Sequence, residues 1–100
     1  MGEVDVVAAR ALQEQGAQLV DVREPYEFWA GHAEGALNIP LSEIEGRIGE
    51  IKRDRTVLLI CQVGERSKMA QGWLADRSIT DTRNVAGGTE AWFFAGLPMK

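Results

Sequence analysis

A single cysteine, Cys61, and a single histidine, His32, stand in this chain of 100 residues. One cysteine permits no internal disulfide, no C-x-x-C redox pair and no cysteine-rich zinc site. One histidine beside it leaves a Cys/His cluster too few ligands, so no metal is expected. A Cys–His protease dyad would have to use His32. That residue lies in a Gly-flanked turn and is expected to serve the turn or its packing. The phosphate-binding pattern G-x-x-x-x-G-K-[ST] does not occur. No apolar run approaches the roughly 18 residues that cross a bilayer. A net charge of −4 speaks against nucleic-acid backbones and anionic membranes as partners. Residues 1–10 are acidic at Glu3 and Asp5 and lack a positive start with a long apolar core. No signal peptide is therefore expected, and a cytoplasmic location is the simplest reading.

What the chain does have is ordinary for a globular protein: 45% apolar and 26% charged residues. One domain, 1–100, is expected. Strand and helix signals alternate along it. Residues 6–15 predict a helix, stopped at Gly16. Residues 18–22 predict a buried strand, and Glu24-Pro25 opens a short helix. Gly31 and Gly35 bracket a turn before a strand at 36–39, which Pro40 ends. Ser42 and Glu45 form a capping-box pattern for a helix to about residue 51. The run "TVLLI" at 56–60 is the strongest strand. A helix over 66–77 places Met69, Ala70, Trp73 and Leu74 on one face. A weaker strand covers 83–86. Gly87-Gly88 turns the chain, and Thr89 is the expected N-cap of a helix over 89–94. Such alternation implies an α/β fold, a mainly parallel central sheet with helices on both faces and "TVLLI" at its centre.

Ligands of open parallel sheets bind beyond the C-terminal strand ends. Cys61 stands one residue past the best strand. The segment after it, Gln62, Val63, Gly64, Glu65, Arg66 and Ser67, leads into a helix. Such a loop points backbone N–H groups at one spot, and Gly64 permits a tight path. The helix dipole adds positive character, so a thiolate is stabilised there and an incoming anion is held. The alternative is a core cysteine, common among free thiols.

Four stretches carry a family resemblance across residues 4–98. "LVDVREPYEFWAGHAEGALNIP" at 19–40 holds two of them, D-V-R-x-x-x-E and G-H-x-x-G-A-x-N-I-P. "CQVGERS" at 61–67 is similar to C-x-x-G-x-R-S, and "VAGGTEAWFFAGLP" at 85–98 to G-G-x-x-x-W-x-x-x-G-x-P. In this order they resemble the rhodanese-like domain, in its form as a single-domain sulfurtransferase. Ala33 departs from the larger aliphatic residue usual there, a minor change of packing.

The resemblance implies that Cys61 attacks the sulfane sulfur of a donor such as thiosulfate. Cys61 would hold that sulfur as a persulfide and pass it to a thiophilic acceptor, cyanide or a thiol. The N–H groups of Gln62, Val63, Gly64, Glu65, Arg66 and Ser67 would form the anion cradle, and no cofactor is needed. Asp21 and Arg23 are expected to brace the loop's base, and Glu27 to pair with an arginine such as Arg66. Arg66 would otherwise face the anion. Asn38 should bond turn backbone, Trp29, Trp73 and Trp92 should pack, and Gly87 and Gly88 should bring backbone close to the loop. Glu65 offsets Arg66, so thiosulfate gains little from side-chain charge and a protein persulfide is a second possible donor. Two other readings stand beside this one. One is a non-catalytic or redox-sensing binding module of the same fold. The other is phosphatase or arsenate-reductase chemistry, opposed by a loop one residue shorter than the C-x-x-x-x-x-R of cysteine phosphatases.

Overall fold

A computed structural model describes residues 2–100. Among the described residues five strands and four α-helices follow in the order β1 (Gly2–Val4), α1 (Val6–Glu14), β2 (Gln18–Asp21), α2 (Pro25–Ala30), β3 (Leu37–Asn38), β4 (Val57–Ile60), α3 (Glu65–Ala75), β5 (Thr82–Val85) and α4 (Gly88–Phe94). They form one sheet in the order β1-β5-β4-β2-β3, with every neighbouring pair parallel. No helix among the described residues is long and apolar enough to cross a membrane.

Strand β4 is central because both of its faces are apolar. Val57 and Leu59 join a cluster with Val20, Ile39, Ala70, Leu74 and Cys61 on the α3 side. Leu58 and Ile60 join Val6, Ala9, Leu19, Val85 and Trp92 on the side of α1 and α4. All four β4 side chains are fully buried, and each contributes about 1.5–3 kcal/mol by leaving water. Trp92 completes the second layer, its indole N–H donating to Pro98 O at 2.8 Å.

Several sequence expectations need correction. The Ser42/Glu45 helix does not form. Two single-turn 3₁₀ helices, Leu41–Glu43 and Ile48–Glu50, stand there instead, since Gly46 and Gly49 raise the entropic cost of a continuous helix. Strand β1 was not anticipated; three mostly exposed residues carry no periodic signal, and pairing with β5 makes the strand. Thr89 is not an N-cap. Gly87 holds that place at φ 77°, and Thr89 lies inside α4. Met69 and Trp29 are exposed, at 65% and 78%. The buried face of α3 is Ser67, Ala70, Gln71 and Leu74. His32 packs as expected, its ring stacked on Phe28 at 3.6 Å.

Candidate active site

Alternation along β4 sends Cys61 to the α3 side, where its side chain is almost wholly buried. The chain then has to reverse into α3 within three residues. Gly64 makes this possible as the N-cap of α3 at φ 107° and ψ −3°, a left-handed conformation that costs glycine little. The reversal turns the Gly64 N–H onto Cys61 Sγ at 3.1 Å. The first full turn of α3 brings Ser67 Oγ to 3.2 Å from the same sulfur.

These contacts act on the ionisation of the thiol. Burial alone pushes the Cys61 pKa up. The Ser67 hydroxyl and the backbone N–H groups of Ser67, Gly64 and Val63 together outweigh it, and the net shift is downward. Hydrogen bonds to the charged form favour that form. Cys61 is therefore a core cysteine whose pKa is shifted downward, since the loop supplies hydrogen-bond partners that an ordinary buried cysteine lacks.

The loop is held from outside by its carbonyls. In α4, Thr89 N donates to Cys61 O at 2.8 Å, the Thr89 hydroxyl to the same oxygen at 3.0 Å, and Glu90 N to Gln62 O at 3.1 Å. Carbonyls drawn outward leave the N–H side of the loop facing the sulfur. Gly88 allows the approach: a Cβ there would collide with Cys61 O and with Gln62 O. Beneath the loop, Arg23 binds both carboxylate oxygens of buried Asp21, donates to Gly31 O at 2.8 Å and reaches Gln62 Oε1 at 3.2 Å. Asn38 donates to Asp21 O and Arg23 O. Arg66 turns to Glu27, so its guanidinium serves an ion pair. Glu65 and Val63 are exposed, and a groove of about 420 Å³ opens beside Gln62, between Glu27 and Gly31 on one side and Thr89, Phe93 and Phe94 on the other.

Of the residues expected in the cradle, Gly64, Ser67 and Val63 bear on the sulfur. Gln62 acts through its side chain and carbonyl on the loop's base and on α4. Two residues of this neighbourhood were not anticipated. Asn84 in β5 accepts from Ser67 Oγ at 2.5 Å, and Glu3 in β1 accepts from Asn84 Nδ2 at 3.0 Å. An Asn inside a segment read as a strand was the available signal, because Asn is depleted in strands.

Comparison with known proteins bears on the family and the fold. The family model described as "Rhodanese-like domain" matches residues 5–95. The uncharacterized protein YqhL of Bacillus subtilis is 47% identical over 76 residues, covering 76% of this chain and 60% of that protein. Thiosulfate sulfurtransferase GlpE of Vibrio cholerae is 35% identical over 98 residues, 97% of this chain and 92% of that protein. Among solved structures, a rhodanese-related protein of Thermoplasma volcanium superposes with a TM-score of 0.90 at 27% identity, covering 100% of this chain and 98% of its own. With a parallel sheet of the same architecture and a family match across nearly its whole length, this chain belongs to the rhodanese-like domain family.

Proposed function

We propose that this protein is a sulfurtransferase in which the Cys61 thiolate carries the transferred sulfur. The thiolate attacks the outer sulfur of thiosulfate, or of a protein persulfide. With thiosulfate, the bond from Cys61 Sγ forms as the donor's S–S bond breaks. Sulfite leaves with the bonding pair, and the negative charge moves from Sγ to the outer sulfur of a cysteine persulfide. A thiophilic acceptor, cyanide or a thiol, takes that sulfur and restores the thiolate. The N–H groups of residues 62–67 would hold the charge while it sits on the outer sulfur.

The observation that carries this reading is the set of polar contacts on a buried sulfur, the Gly64 N–H donating at 3.1 Å and the Ser67 hydroxyl within hydrogen-bond reach at 3.2 Å. A merely packed cysteine has no use for it. The name of the GlpE relative supports the same reaction. Incubation with thiosulfate should raise the intact mass by one sulfur atom, and cyanide should remove it. Cys61→Ser should do neither, because an alkoxide forms no persulfide. Sulfur transfer by the serine variant would overturn the assignment.

A further inference from the structure

Asn84 is 1% exposed in β5, with both edges of its amide engaged. Nδ2 donates to Glu3 Oε2 at 3.0 Å and to Gly64 O at 3.3 Å. Oδ1 accepts from Ser67 Oγ at 2.5 Å. A carboxylate and a carbonyl only accept, so the amide has one orientation, and its oxygen faces Ser67. The Ser67 hydroxyl has one proton and two claimants, Asn84 Oδ1 and Cys61 Sγ. While Cys61 is a thiol the claims agree: the S–H donates to Ser67 Oγ, which donates to Asn84. Once the sulfur is a thiolate they conflict. The hydroxyl must turn to the sulfur, and Asn84 Oδ1 is then left unpaired in a buried place.

We propose that Asn84 is a positioning residue that competes with the Cys61 thiolate for the Ser67 hydroxyl proton, and that Glu3 on the edge strand holds its amide in the competing orientation. The purpose of the contest rests on the sulfur-transfer reading. In the persulfide, Sγ is neutral and divalent and the charge lies on the outer sulfur. The Ser67 proton can then return to Asn84. Asn84 therefore leaves the bare thiolate with a contested donor and the loaded state with a satisfied one, a bias toward taking up sulfur. Of the other charged groups around the loop, Arg66 of α3 pairs with Glu27 of α2 and Arg23 with Asp21, while Glu65 of α3 and Glu90 of α4 are exposed to solvent, which screens them. Glu3, with Lys68 at 3.9 Å, reaches the sulfur through Asn84 and Ser67.

Cys61 is the only cysteine, so thiolate ultraviolet absorbance against pH reads its midpoint in the intact protein without any need for turnover. Ser67→Ala should raise the midpoint. Asn84→Ala should lower it by about half a unit, the worth of one contested hydrogen bond. In the Ser67→Ala background, Asn84→Ala should move it no further. A purely structural role for Asn84 would not produce opposite signs and this epistasis. Should Asn84→Ala fail to fold, Glu3→Ala at the exposed edge serves instead. It should give a smaller downward shift that shrinks in the Ser67→Ala background, whereas a field effect of the lost carboxylate would persist there in full. An upward shift, no shift, or equal shifts with and without Ser67 would overturn the proposal. If the shifts appear but thiosulfate leaves no sulfur on Cys61, the competition stands and the reading of the reaction falls.

Discussion

The Arg66 guanidinium donates to both carboxylate oxygens of Glu27, at 2.6 and 2.9 Å, and ties the first turn of α3 to α2. The pair lies at the rim of the Cys61 loop and holds the helix that supplies Ser67. Its hydrogen bonds with Arg66 lower the Glu27 pKa from 4.5 to about 2. A depressed carboxylate stabilises the fold fully above its unfolded pKa and loses that contribution as pH falls toward the folded value. Acid should therefore weaken the loop between about pH 4.5 and 2. Glu27→Gln should cost about 1–2 kcal/mol in denaturant melts at neutral pH, allowing for partial exposure of the pair, and should flatten the acid limb over that window. An unchanged acid limb would show that the pair contributes nothing measurable.

The loop donors predict a reactive thiol despite its burial. Alkylation of Cys61 by iodoacetamide should show a midpoint below the ordinary thiol value of about 8.5, since hydrogen bonds from Ser67 and the loop backbone outweigh desolvation. Rates should be flat above the midpoint and fall tenfold per unit below it. A midpoint above the ordinary value would mean that burial wins and that Cys61 is only core.

A sharper test of the backbone arrangement uses Gly88. Its φ is 60° and the site of its missing Cβ overlaps Cys61 O and Gln62 O. Gly88→Ala must push α4 away from the loop, straining the bonds from Thr89 and Glu90 that draw those carbonyls outward. Sulfur loading of Cys61 should fall at least tenfold, with a stability loss of about 1–3 kcal/mol. Gly72→Ala is the control: a Cβ there meets nothing within 4 Å, and loading should be unchanged. Equal loading by the two variants would show that contact with α4 does not set the loop's geometry.

Much of this site was legible in the sequence because the signals were local. An apolar run ending on Cys61 placed the strand, and Gly64 before a helical pattern placed the turn. The Asp21, Arg23 and Asn38 brace, and the Glu27–Arg66 pair, followed from the family resemblance. What stayed hidden was fixed by tertiary pairing. Strand β1 exists only against β5, so Glu3 could not be placed beside Asn84 from either segment alone. Met69 was assigned to the buried face of α3 by apolar character, yet the polar Ser67 and Gln71 take inward positions. Both have partners there, Ser67 in Cys61 and Asn84, and Gln71 in Gly2 O and Thr82 O. Buried polar side chains that satisfy one another leave no trace in a hydrophobic pattern.

The last expectation concerns what the loop rejects. Four residues, Gln62 to Glu65, separate Cys61 from Arg66. A shorter loop closes a tighter set of N–H donors around the sulfur, and Gly64 N already lies 3.1 Å from it. One added sulfur atom fits such a space, whereas a tetrahedral phosphate needs donors for three equatorial oxygens. Arg66, the cation nearest in sequence to such a phosphate, is committed to Glu27 through two hydrogen bonds. Freeing it would leave a carboxylate unpaired beside a dianion, a like-charge contact that opposes binding. Donors aimed at one charge distribution do not serve another displaced by more than a few tenths of an ångström, because catalysis requires them within about 2.7–3.1 Å of the developing charge. Hydrolysis of an aryl phosphate should therefore be undetectable under conditions where thiosulfate loads Cys61. Inserting one glycine after Gly64 should weaken loading, since it moves Ser67 away from the sulfur. Cys61-dependent phosphatase activity in the unmodified protein would overturn both the loop-size argument and the proposed reaction.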